Sequence, residues 1–119
     1  MPRSPELYLH DILDAAGYIL RATDGMTQEE FSSHPDRPFA VERNFMIVGE
    51  ALAQMRQHYP ELFGQIPDAA LIVAFRNRLV HAYSGIDPIA VWSVVQQDVR
   101  PLRIAVESLL RQSSSARGG

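Results

Sequence analysis

Apolar residues recur along the chain at three- and four-residue intervals, and the two-residue alternation of half-buried strands is scarce. Leu9, Ile12, Leu13, Ala16, Ile19 and Leu20 fall on one face of a first helix. Ser4, Pro5 and Glu6 form its start signal, and Thr23-Asp24-Gly25 its stop. Thr27 and Glu30 have the spacing of a capping box, which predicts a short helix over 27–33. A polar loop with two prolines follows, from Ser33 to Pro38. The pattern resumes from about Phe39 to His58, with Val41, Phe45, Met46, Val48, Leu52 and Met55 to bury, and Pro60 closes it. Leu62 to Pro67 reads as a connector.

Asp68 stands where a third long helix should be capped, and Ser84-Gly85 where it should end. Asp87 and Pro88 open a last helix that offers Ile89, Val91, Trp92, Val95, Val99, Leu102, Val106 and Leu109 to the core. Pro101 lies well inside that pattern and predicts a kink or a split. The expected fold is all-α: an antiparallel helical bundle of four main helices plus short helices. One domain over 1–112 suits the length, and the composition of 113–119 predicts a disordered tail.

Charge and composition narrow the function. The net charge is −3, so the surface as a whole does not attract nucleic acid, and any RNA binding needs local cationic patches. All eleven basic residues are arginine. The absence of cysteine removes disulfides, thiolate nucleophiles and Cys-based zinc sites. The N-terminal residues lack the apolar core of a signal peptide, and the longest strictly apolar run, Ala69 to Phe75, is far too short for a bilayer. A cytoplasmic protein with no membrane partner is expected.

The concentrated chemistry lies in Arg76-Asn77-Arg78-Leu79-Val80-His81-Ala82-Tyr83. Arginine grips phosphate through a planar, permanently charged fork, and histidine can take and give a proton near neutrality. At about 100° per residue, Leu71, Ile72, Phe75, Leu79 and Ala82 form the face turned to the bundle. Arg76 and Tyr83 lie on one flank, Asn77 and His81 on the far side, and Val73 and Val80 form a second apolar strip. An apolar strip on each side predicts two neighbours, the protein's own bundle and a second subunit. Arg76 and His81 point about 140° apart on a regular helix. They meet at one phosphate only if the helix loosens near Gly85 or if two chains share a cleft across a twofold axis, and the second uses the valine strip. The residues also admit a plainer account, in which His81 complements the helix dipole and Arg76 pairs on the surface with Glu50 or Asp98. Arg43 and Glu50, two turns apart, form either a polar stripe with an intra-bundle salt bridge or a support that holds a cleft arginine.

The Arg-x4-His-x-Tyr spacing resembles the signature of HEPN-domain ribonucleases, in particular the HepT-like branch. The similarity extends over nearly the whole chain: Tyr8-Leu9-His10-Asp11-Ile12-Leu13 at the start, Val41-Glu42-Arg43-Asn44-Phe45-Met46-Ile47-Val48-Gly49-Glu50-Ala51 in the middle, and Ile86-Asp87 with Val91-Trp92 after the signature. One departure is Asp68 after Pro67, where many relatives have an aromatic residue.

The resemblance implies the toxin of a type VII toxin–antitoxin pair, a homodimeric endoribonuclease that needs no metal or cofactor and cleaves through attack by a ribose 2′-hydroxyl. Arg76 and His81 are then the catalytic residues. Asn77, Arg78, Glu50 and Arg43 bind or orient the substrate, an RNA with tRNA among the candidates. The family's partner is a minimal nucleotidyltransferase antitoxin, MntA, and Tyr83 matches the tyrosine to which it adds AMP. The alternative is a non-catalytic HEPN module that uses the same cleft to bind a nucleotide or a protein.

Overall fold

The computed structural model describes residues 3–82 and 85–118. Its long helices are α1 (Pro5–Thr23), α3 (Arg37–His58), α5 (Ala69–His81) and α7 (Arg100–Gly118). Shorter pieces are α2 (Gln28–Ser33), α4 (Pro60–Phe63) and α6 (Pro88–Val94), and a π-helical turn, Val95–Val99, joins α6 to α7. No strand occurs among the described residues, and no helix among them is long and apolar enough to cross a membrane. The architecture is the all-α bundle expected.

Helix α3 is the axle. It packs on α1 along one side and on α5 along another, while α7 lies on α1 and α2 reaches α6. Ile12, Ile19, Phe31, Val41, Phe45, Leu52, Met55 and Ile72 are wholly enclosed between these elements. Burying a side chain of that size stabilises by about 1.5–3 kcal/mol. Phe45 and Phe75 meet edge to face, with ring centroids 5.3 Å apart, and tie α3 to α5. Phe31 and Trp92, 5.3 Å apart, do the same for α2 and α6.

The helix ends follow local chemistry in some places and not in others. Thr27 and Glu30 form both halves of the capping box, and Asp87 accepts a hydrogen bond from the Ile89 amide at 2.9 Å. His34 does similar work at the entrance to α3, where its Nδ1 accepts from the amides of Asp36 and Arg37 at 3.1 and 2.9 Å. Ser4 and Asp68 occupy N-cap positions, but neither side chain caps its helix. Helix α7 extends through Gly118. The Ser113 hydroxyl hydrogen-bonds Glu6 on α1 at 2.7 Å and holds that extension against the bundle.

The expected last helix is divided next to Pro101, into α6, the π segment and α7, which begins at Arg100. A proline ring collides with the carbonyl four residues back and offers it no N–H. Here the turn before it widens into the π segment Val95–Val99, a single-turn bulge of the kind that absorbs such a misfit. The bulge contains Asp98, which is buried although the expected apolar face made no use of it. Burial pushes the Asp98 carboxyl up to about 6, helped by a hydrogen bond that the protonated Asp98 donates to Asp68 and by the charge of the Asp68 carboxylate. Asp68 itself adopts a left-handed backbone (φ 57°), rare outside glycine.

A carboxyl with a raised pKa holds its proton more tightly in the folded chain than in the unfolded one. Its contribution is complete below the ordinary carboxylate value, about 4. That contribution is lost as pH rises through about 6. Asp98→Asn should therefore remove a stability decline between pH 4 and 7 that the parent protein shows. Paired thermal melts across that range check it, and parallel curves for the two proteins would contradict it.

Candidate active site

Arg76 is placed by the approach of α3 to α5. A Cβ built on Gly49 would lie 2.3 Å from the Arg76 Cβ and 2.4 Å from its Cγ. Only hydrogen fits there, and its absence of bulk lets the root of the arginine lie against the backbone of α3. From that position the Arg76 Nη2 hydrogen-bonds and ion-pairs with the Glu50 carboxylate. Its Nη1 donates to the Asn77 Oδ1 at 2.7 Å. Glu50 is held in turn by Gln54, whose amide donates to its other oxygen at 3.2 Å.

The Arg76 side chain keeps 24% of its exposure and Glu50 keeps 53%. A pair this accessible contributes little to folding, roughly 0–1 kcal/mol. Its consequence is orientation: the guanidinium is aimed along the α3–α5 seam while part of its fork stays open to solvent. Arginine in this state can receive a second anion, such as a phosphoryl oxygen.

His81 stands apart. Helix α5 is continuous through it and turns to extended backbone at Ala82. The imidazole is exposed and lies about 140° around the helix from Arg76. Loosening near Gly85 therefore does not bring the two together, because the chain stays helical across both. Asn77 and Arg78 are also exposed, and the Arg78 guanidinium sits 5.8 Å from the Phe75 ring centroid. Arg43 is exposed on α3 and makes no ion pair among the described residues. Of the candidate residues, Arg76, Asn77 and Glu50 are thus joined directly. Tyr83 lies outside the described residues.

Two apolar assignments on α5 exchange sides. Leu71, expected to face the core, is 52% exposed, whereas Val73 is buried in its own bundle at 2%. The close contact at Gly49 rolls α5 so that the buried arc runs from Phe75 past Ile72 and Arg76 to Val73. Val80 remains half exposed. Leu71 and Val80, nine residues apart, point about 180° from each other, so the exposed apolar side chains of this helix lie on opposite flanks and do not form the predicted valine strip. Ile89 on α6 is likewise exposed, not buried. Asp98 pairs with Asp68, not with Arg76.

The model of the family described as ribonuclease HepT-like matches residues 12–109, which span α1 to α7 and contain the whole seam. The chain belongs to the HepT-like ribonuclease family. It is 33% identical over 105 residues to a Methanocaldococcus jannaschii protein named "Putative RNase", covering 88% of this chain and 95% of the relative. It is also 33% identical to a Thermococcus cleftensis protein named "Probable ribonuclease HepT", over 92% of this chain and 98% of that one. A Caldanaerobacter subterraneus protein named "Putative RNase" shares 24% identity across 92% and 97% of the two lengths. No solved structure matches the chain.

Gly49→Ala tests the seam. Alanine gains about 1 kcal/mol of helix propensity over glycine. Overpacking against Arg76 should exceed that gain, since such insertions cost typically about 1–3 kcal/mol and this one meets the stem of the side chain rather than its flexible end. A net destabilisation on the order of 1 kcal/mol is expected in urea titrations. A more stable variant would mean that the helices can part freely.

Proposed function

We propose that the protein is a metal-independent endoribonuclease, the toxin of a two-component pair, working in the cytoplasm as a homodimer. The observation behind this reading is the Arg76 guanidinium, fixed by Glu50 and Asn77 yet open to solvent, in a chain of the HepT-like ribonuclease family. Two copies meet along the flank of α5 that carries the exposed Val80, which lies between Arg76 and His81 around the helix, α5 having α3 as its main neighbour. Arg76 of one copy and His81 of the other then line a shared cleft, which answers their divergence within one helix.

In that cleft His81 takes the proton of a ribose 2′-hydroxyl. The oxygen attacks the adjacent phosphorus, the bond from phosphorus to the 5′-oxygen breaks, and that oxygen leaves with the proton that the His81 imidazolium gives back. The products are a 2′,3′-cyclic phosphate and a 5′-hydroxyl. Arg76 stabilises the charge that builds on the phosphoryl oxygens. Asn77 orients Arg76 through its side-chain oxygen, and Arg78 adds positive charge along the exposed face. No metal is needed by this chemistry.

The antitoxin is a minimal nucleotidyltransferase of the MntA type, and it adds AMP to Tyr83. Each adduct brings a base and an anionic phosphate to the residues beside His81, where it competes with RNA for Arg76. The second reading, a binding module without catalysis, draws on the same exposed guanidinium and predicts a different outcome on expression.

His81→Ala should lower RNA cleavage by about 10²–10⁴-fold, the range for loss of a general acid–base group, and should abolish growth arrest. Equal toxicity of variant and parent would favour the binding reading. Co-expression with a nucleotidyltransferase partner should add whole AMP masses to the intact protein. Tyr83→Phe should remain toxic and gain none, and persistence of the added mass in that variant would remove Tyr83 as the site.

A further inference from the structure

An open groove of about 310 Å³ runs between α1 and α3, and Glu50 forms one of its edges. Glu50 is thus common to the groove and to the Arg76 ion pair. Met46, Ile47 and Ala51 supply its apolar floor, and Ile47 is 41% exposed. One wall is the Arg3 guanidinium, 5.2 Å from the ring centroid of the buried Tyr8.

The charges around this groove are mostly spent on one another. Arg3 pairs with Asp11 at 2.6 Å, and Glu50 is engaged by Arg76 and by Gln54. Arg43 is the exception: it lines the groove, is exposed, and has no ion-pair partner among the described residues. An apolar floor under one uncompensated cation matches a nucleotide, whose base covers the floor while its phosphate meets the arginine. A second copy of this chain is a poorer fit, since a twofold contact through the groove would set one uncompensated Arg43 against another. Paired bases are also excluded, because a stacked duplex cannot lay a base face on the floor.

We infer that the α1–α3 groove is a subsite for an unpaired nucleotide of the RNA, with the base on Ile47 and Met46 and the phosphate at Arg43, next to the bond held at Arg76. This rests on the ribonuclease reading above and gives it a substrate class, single-stranded RNA. Arg43 and Ile47 are binding residues in this account and touch no reacting atom.

The test uses the full chain and a mixed-sequence 2′-O-methyl oligoribonucleotide, which lacks the attacking hydroxyl and reports binding alone. Arg43→Gln should weaken binding roughly tenfold and reduce the salt slope of the affinity by about 0.7, the value for one phosphate contact on a single strand. Ile47→Ser should weaken binding comparably and leave the salt slope unchanged. Arg111→Gln, on the distant part of α7, should do neither, and a duplex of the same sequence should bind the parent weakly and be insensitive to Ile47→Ser. Parent-like binding by both groove variants would overturn the subsite, as would absence of binding by the parent. A change from dimer to monomer in Ile47→Ser by light scattering, with Arg43→Gln binding normally, would also overturn it and make the groove a subunit interface. Cleavage of unmodified RNA is measured separately. A parent that cleaves while both groove variants bind normally loses the subsite alone, whereas a parent that binds but does not cleave loses the ribonuclease reading.

Discussion

The close contact of α3 with α5 at Gly49 governs the geometry of the candidate site. Phe45 and Phe75 join the two helices edge to face, and one turn further along α3 the missing side chain of Gly49 admits the stem of Arg76. A glycine inside a helix costs about 1 kcal/mol against alanine, so the molecule accepts a weaker helix for a closer approach. What that approach supplies is position. Glu50, the next residue on α3, meets the guanidinium, and Asn77, the next residue on α5, braces it from the other side. Three functional groups are thereby ordered by backbone packing, and their ion pair adds little to stability because it is half open to water.

The order of the main helices was legible in the sequence because a 3.6-residue period, proline positions and Asp or Thr at helix starts are local signals. They identified α1, α3, α5 and the α6–α7 arm, and the capping box at Thr27. What they missed depends on partners distant in sequence. Leu71 and Val73 differ by about 200° around α5, so a modest roll of the helix decides which one is buried, and the roll is set by Gly49 on another helix. Asp98 escaped notice because it is polar, although its spacing from Val95 and Leu102 puts it in the buried register. That mismatch of polarity and register was the available signal. Capping by Asp68 failed for a related reason, as its carboxyl turns to Asp98 instead of to its own helix.

The candidate site divides along the same line. Arg76, His81 and their spacing are written in eight consecutive residues, and so is their angular divergence. Which acidic residue holds Arg76 is not local: Glu50 and Asp98 were both compatible with the sequence, and the Gly49 contact selects Glu50 by bringing that turn of α3 against α5. Arg43, on the same helix two turns away, has no ion pair among the described residues, where Asp11 and Glu50 are taken by Arg3 and Arg76. A free cation here is a product of how the other charges pair, and no single-residue rule would have found it.

On the proposed reading, the divergence of Arg76 and His81 has a further consequence for control. A helix that stays regular through both residues keeps guanidinium and imidazole from one phosphate in a lone chain, so assembly becomes a condition for chemistry. The surface that would bring the copies together, the flank of α5 at the exposed Val80, belongs to the helix that holds both groups. Any agent that alters the end of α5 therefore acts on assembly and chemistry together. AMP attached two residues beyond His81 would bring bulk and negative charge to that end, where one adduct can occupy the phosphate's place at Arg76 and crowd the contact between copies. On that reading a small modification would suffice to silence the protein, because the reacting groups and the contact between copies share one flank of one short helix.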